Sequence, residues 1–340
     1  MNDLRIPYQT MIDTFREILL EYAFTEERAE LCAILFAKAS LDGVASHGLN
    51  RFPFFLKNIQ EGYIDVKAKP KRTDSFGPFE RWDGNLGPGN LNAHHCMNRA
   101  IILSKEHGIG CLALKNTNHW MRGGNYGWQA ADDGCIGLCF TNTKPNMPAW
   151  GGSEPVLGNN PVVIAVPRAN GHVVIDMALA QYSYGKMHSY KNRGDQLPYE
   201  GGFDENGNLT KDPEKIIDKE LALTIGLWKG AGLSLVLDMI ASVLSGGNAA
   251  HDIGEMEEER AISQLFLCFY PPTLGTSPMP DEKLDAIIDN LKSSATFGDS
   301  EVRYPGEATL ARRRENLEHG VPVDKDTWEH VLTLGPKLNS

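Results

Sequence analysis

Paired cysteines, long apolar runs and an excess of positive charge are what this 340-residue chain lacks. Its six cysteines (Cys32, Cys96, Cys111, Cys135, Cys139 and Cys268) contain no Cys-x-x-Cys spacing, which suits buried thiols in a reducing compartment. With 33 basic against 44 acidic side chains the net charge is −11, so a broad nucleic-acid surface held by counterion release is excluded. A local basic pocket for one phosphorylated cofactor stays open. The longest strongly apolar stretch, Leu233 to Leu244, contains Asp238 and falls short of the about 20 residues that cross a bilayer. Asp3, Arg5, Asp13, Arg16, Glu17 and Glu21 interrupt the first 24 residues, so no secretory signal is expected. GxxxxGK[ST], GxSxG and HExxH are absent as well, which leaves P-loop, serine-hydrolase and HExxH-metal chemistry without an anchor. The expectation is a cytoplasmic protein with neither membrane nor nucleic acid as partner.

At roughly 2.3 times a typical 150-residue domain, the length favours two domains. Tyr8, Met11, Ile12, Phe15, Leu19 and Tyr22 recur at the spacing of an amphipathic helix. A second helix is predicted from Thr25, with the threonine as cap and Leu31, Ile34 and Leu35 inward, ending near Asp42-Gly43. A third starts near Asn50 or Arg51, tolerates Pro53 in its first turn and ends at Gly62. From about residue 73 the texture changes to Gly-Pro punctuation between short β-branched runs. Leu91 to Glu106 reads as a helix; Cys111 to Lys115, Cys135 to Thr141, Pro161 to Val166, Val173 to Met177 and Leu265 to Tyr270 read as strands. Gly232 to Leu244 reads as a mostly buried helix, Arg193 to Pro213 as an excursion, and Leu310 to Leu334 as two helices around Gly320-Val321-Pro322 that return to the N-terminal ones.

Gly108-Ile109-Gly110-Cys111-Leu112-Ala113 satisfies the loose Gly-x-Gly-x-x-Ala dinucleotide pattern, but a helix precedes it and a strand follows, the reverse of what the pyrophosphate site requires. It reads as a helix stop. Ser46-His47-Gly48-Leu49-Asn50-Arg51 lies between two helices. There His47 can exchange a proton with a reacting oxygen and Arg51 can clamp a carboxylate, or the pair is an ordinary cap and a surface arginine. The loop Asn116 to Trp128, with His119, Trp120, Arg122 and Gly123-Gly124, is placed to hold a ligand; a structural turn is the other reading. His172 to Ala178, Trp228-Lys229 and Pro305-Gly306-Glu307 are places where backbone can approach a dinucleotide, each weak alone.

In this order and spacing, Ser46-His47-Gly48 with Arg51, Asn118-His119, Thr141-Asn142, Pro148 to Gly152, Leu157 to Pro161, Asp176-Met177-Ala178, Lys229-Gly230 and Pro305-Gly306-Glu307 resemble the malate/L-lactate/sulfolactate dehydrogenase-like oxidoreductases over nearly the whole chain. Asn118 to Gly124 and Gln196 to Asp204 look most like the branch that reduces 2-oxo sugar acids. The resemblance implies an α/β fold: a non-Rossmann α/β NADH-binding domain (73–295) and an orthogonal helical domain built from both chain ends (1–72 plus 296–340). It implies a homodimer that uses NADH, with NADPH as the alternative. The cofactor would be held by His172, Val173, Val174, Ile175, Asp176, Met177 and Ala178, by Trp228 and Lys229, and by Gly306, Glu307 and Ala308. His47 would donate the proton, with Arg51 holding the carboxylate of a small 2-oxo acid and His119 orienting its carbonyl; no metal is implied. Malate, lactate or ureidoglycolate dehydrogenation, cyclic imine reduction and a non-catalytic sugar-acid binder are the alternatives.

Overall fold

Gly108 separates a helix from the central sheet. It ends a 19-residue helix in the left-handed conformation (φ +83°) and releases the chain into a nine-residue strand, so the glycine pattern is a helix stop. The computed structural model describes residues 4–275 and 281–335. Strand β1 (Leu4–Ile6) leads into α1 (Tyr8–Glu21) and α2 (Glu26–Leu41), followed by two 3₁₀ turns (Ala45–His47 and Leu49–Arg51) and α3 (Phe52–Gln60). The hairpin β2 (Lys71–Phe76) and β3 (Phe79–Asp83) precedes α4 (Gly89–His107), β4 (Ile109–Thr117), α5 (Gly124–Asp132) and β5 (Ile136–Thr141). Short strands β6 (Met147–Pro148) and β7 (Pro155–Leu157) then give way to β8 (Val162–Val166), β9 (Val173–Met177) and α6 (Tyr184–Arg193). The Gly- and Asp-rich excursion holds a hairpin, β10 (Gly202–Phe203) and β11 (Leu209–Thr210), and α7 (Pro213–Lys219). Next come α8 (Trp228–Ser245), α9 (Ala250–Gly254), β12 (Ile262–Phe269), α10 (Asp281–Lys292), α11 (Glu307–His319), β13 (Val321–Val323) and α12 (Lys325–Thr333).

The seven-stranded sheet runs β2-β3-β4-β12-β5-β8-β9; only the β3–β4 pair is parallel. This open, mixed sheet is not a doubly wound nucleotide fold. Side chains of β12 alternate between its faces: Phe266 and Cys268 join the core under α4 and α5, and Leu265 joins the core under α8. A separate core forms from both chain ends. Phe15, Phe36, Phe52 and Phe55 pack with Val321, Trp328 and Val331, and β1 pairs antiparallel with β13. Phe15 stacks on Phe52 with ring centroids 4.3 Å apart, the offset geometry that aromatic pairs prefer.

Three details differ from expectation. Thr25 occupies the cap position of α2 without a side-chain hydrogen bond, and the inward face of that helix is Ala29, Cys32, Ala33 and Phe36 more than Leu31 and Ile34. The break at Gly320 is strand β13, too short for a periodicity signal. Helix α8 is not mostly buried: Ser234, Leu237 and Ala241 face the sheet, while Leu233, Leu235, Val236, Met239, Ile240 and Val243 are exposed, Val243 at 71%. It is also longer than its apolar run suggested, 18 residues with a mean hydropathy of 1.2, long and apolar enough for a spanning segment by those two measures alone.

Candidate active site

His47 is placed by α2. Ser40 Oγ on its last turn accepts from the Leu49 amide (2.8 Å), which bends the two 3₁₀ turns back over the helix. A Cβ at Gly48 would lie 2.2 Å from Ser40 Oγ and 2.8 Å from the Phe36 carbonyl oxygen, so only glycine permits this approach. His119 arrives from the other side, just beyond β4. Asn118 anchors it by donating to the carbonyls of Leu86 (2.8 Å) and Gly87 (3.1 Å).

The two imidazoles stack with centroids 5.8 Å apart. Met121 N donates to His119 Nδ1 (3.0 Å), so neutral His119 carries its proton on Nε2. Ser46 Oγ lies 3.0 Å from His47 Nδ1 and fixes that ring's orientation. Burial, then the charges of Arg51 and Arg122, push His47 down to about 4. Burial, with Arg51 and His47, holds His119 well below the ordinary imidazole value. Arg51 stacks over the Phe54 ring at 4.4 Å, and its Nε is buried with no hydrogen-bond partner. A desolvated guanidinium with a free edge is a receptor for a carboxylate.

His47, Arg51 and His119 line one cleft of about 470 Å³, within the roughly 300–1,000 Å³ of small-molecule sites. Asp176 and Ala178, at the end of β9, form its opposite wall, with Ser183, Tyr184 and His188 from the start of α6. The sheet's last strand thus delivers part of the stretch 172–178 to the histidines. His172 sits apart at the strand's far end, where its Nδ1 accepts from Arg168 N and its Nε2 meets Asp132 at 3.1 Å. Gly306 joins β9 directly: Val174 N donates to the Pro305 carbonyl (3.0 Å), and a Cβ at Gly306 (φ +95°) would lie 3.1 Å from that nitrogen. Gly306 caps α11, and Glu307 and Ala308 form that helix's first turn, so an edge strand and a helix N-terminus lie together, a backbone surface that suits a phosphate-bearing cofactor. Trp228 and Lys229 open α8 after Leu227, a non-glycine residue at φ +60°, and neither lines the cleft; Trp228 is exposed.

Arg122 is structural. It pairs with buried Asp42, which also takes two hydrogen bonds from Arg313 (2.6 and 2.7 Å), and its Nε stands 3.7 Å from Asp176 Oδ2. Burial would raise the Asp42 carboxyl, but Arg313 and Arg122 hold it low. Asp176 is pushed up by burial against the pull of Arg122 and of the Gly124 amide, which donates to its Oδ2 at 2.9 Å. Asn125 is likewise engaged, donating to the Leu35 carbonyl. Sequence reasoning did not find Asp42, Asn146, Tyr184 or Glu259. Asp42-Gly43 carries only a turn signal, and Glu259 stands in an acidic run with no ligand spacing.

Residues 6–332 match the malate/L-lactate dehydrogenase family. The chain is 40% identical over 333 residues to a 2,3-diketo-L-gulonate reductase of Escherichia coli O6:K15:H31, covering 97% of this chain and all of that one. Among solved structures it superposes on the sulfolactate dehydrogenase of Methanocaldococcus jannaschii (TM-score 0.89, 28% identity, 97% and 96% covered). It also superposes on the malate dehydrogenase of Pyrococcus horikoshii OT3 (TM-score 0.89, 26% identity, 98% and 95% covered). Matched from end to end in both sequence and fold, the chain belongs to the malate/L-lactate dehydrogenase family of NAD(P)-dependent oxidoreductases, which act on the CH–OH group of their substrates.

Proposed function

We propose that this cleft reduces a 2-oxo sugar acid with NADH, the substrate being 2,3-diketo-L-gulonate and the product 3-keto-L-gulonate. The observation that carries the reading is that His47, Arg51 and His119 share one cleft with the end of β9. When bound, NADH supplies the hydride. Residues 172–178 and 306–308 would hold it along the edge strand and the start of α11, with Trp228 and Lys229 beyond them. Arg51 clamps the substrate carboxylate through two parallel hydrogen bonds. His119 Nε2–H donates to the ketone oxygen, and His47, having taken up a proton from solvent as the substrate binds, passes it to that oxygen as it becomes an alkoxide and returns to the neutral ring. A carboxylate on Arg51 offsets one of the charges that keep His47 low, so substrate binding itself raises the proton affinity of the imidazole. Trp120 and Met121 close the cleft on one side and limit water there.

Two further parts of the reading concern the whole chain. We divide the chain into domains 1–72 plus 296–340 and 73–295, a division supported by the core of the chain ends being separate from the sheet cores, although Leu91 and Met121 join the former. The exposed apolar face of α8 meets a second copy in a homodimer.

Loss of reduced-nicotinamide absorbance with NADH and with NADPH, across 2,3-diketo-L-gulonate, oxaloacetate, pyruvate and a cyclic imine acid, tests the assignment. The diketo acid with NADH should give the highest kcat/KM. Preference for oxaloacetate, pyruvate or the imine would move the chain to another branch, and no turnover with any of them would favour the non-catalytic binder.

A further inference from the structure

Arg51, His119, Met121, Asn146 and Glu259 form a wall shared by the cleft and a second, smaller cavity. Its volume, about 170 Å³, is several times the roughly 30 Å³ share of one water. Three carboxylates line it, Glu220, Glu258 and Glu259. Lys144 also lines it and keeps its charge, its ammonium held in place by donating to the carbonyls of Met256 (3.0 Å) and Glu257 (3.1 Å). Three carboxylates thus face two cations, Lys144 and, at the shared wall, Arg51. The polar groups around it are incomplete: Asn58 Oδ1 and Asn146 Oδ1, like Arg51 Nε, are buried without a hydrogen-bond partner. Buried polar atoms are ordinarily paired, and an amide offers both donors and an acceptor, the complement of a hydroxyl. Asn118, Arg122, Asn125 and Gln181 are the polar residues whose types suit hydroxyl recognition. Asn118 Nδ2, Arg122 Nη1 and Asn125 Nδ2 are engaged with the protein's own backbone or carboxylates, while Arg122 Nε and Asn125 Oδ1, buried without a hydrogen-bond partner, lie outside this cavity.

We propose that this cavity receives the tail of the substrate and selects a neutral, hydroxylated tail over one with a second anionic group, Asn58 and Asn146 bonding the hydroxyls and Glu220 and Glu258 repelling a carboxylate or sulfonate. The inference rests on the reading that Arg51 holds a 2-oxo acid in the adjoining cleft. Arg51 then binds the only anionic group the site accepts, and specificity is set as much by repulsion as by attraction.

The test is calorimetric binding of L-gulonate, L-lactate and L-malate to the NADH-loaded protein, in wild type and in Asn58→Ala, Asn146→Ala and Glu258→Gln. The ratio of gulonate to lactate affinity should fall about tenfold in each asparagine variant, the worth of one hydrogen bond to a hydroxyl. Glu258→Gln should tighten malate several-fold relative to gulonate. An unchanged gulonate-to-lactate ratio in both asparagine variants, or wild-type malate binding as tight as gulonate, overturns the subsite while leaving the keto-acid cleft standing. If none of the three acids binds, the cleft reading and the subsite fall together.

Discussion

At the scale of single residues, the site sets a desolvated cation beside two imidazoles that burial keeps neutral. Arg51→Lys exchanges a bidentate fork for a point charge, so KM for the 2-oxo acid should rise about tenfold or more while the thermal midpoint holds; an unchanged KM in steady-state kinetics would speak against the carboxylate clamp. His47 also leaves a signature in stability. Its folded value, about 4, lies below the ordinary 6.5, so the unfolded chain takes up that proton first and the contribution of the neutral ring is lost as pH falls from about 6.5 towards 4. Denaturation midpoints at pH 7.5 and pH 5 should therefore show wild type losing stability relative to His47→Gln on acidification; a constant difference would mean that the imidazole is not buried neutral. Sequence alone brought His47, Arg51 and His119 into view through motif order, and the structure gathers them in one cleft. Glu259 and Asn146 were not legible, because they reach the cleft from loops whose positions depend on the packing of distant strands.

At the scale of elements, α1 to α4, α8, α11, α12 and five strands of the central sheet were legible because apolar spacing fixes which face each buries, whereas α5, α6, α7, α9 and α10, short or mostly polar, went unread. Strand partners were not. Nothing local in Ile262–Phe269 announces that it lies between β4 and β5, and β1 and β13 are three residues each. Asp42 illustrates the same limit: its partners Arg122 and Arg313 are 80 and 271 residues away, so at its own position only the turn is visible. Those ion pairs join α2, the loop after β4 and α11, and through Arg122 they reach Asp176 in the cleft wall. Asp42→Ala leaves two arginines facing each other without their carboxylate, a loss of about 3–5 kcal/mol when a buried pair is broken. Urea unfolding should report it; a loss under about 1 kcal/mol would mean that the cluster is solvated and does not hold the elements together.

At the scale of the molecule, the row of Val236, Met239 and Val243 on α8 is what a lone chain leaves uncovered. Light scattering should give twice the 37.5 kDa chain mass for wild type and a single chain mass for Val236→Glu/Met239→Glu; a monomeric wild type would contradict the dimer. The cleft itself lies where the core of the chain ends meets the sheet, with His47 from one side and the end of β9 from the other. Whether that meeting is the reaction centre is tested most directly by the turnover of His47→Ala with NADH and a 2-oxo acid, alongside NADH binding followed by fluorescence. We predict a kcat lower by about 10²- to 10⁴-fold with cofactor affinity retained, and a variant that turns over at the wild-type rate would contradict the account.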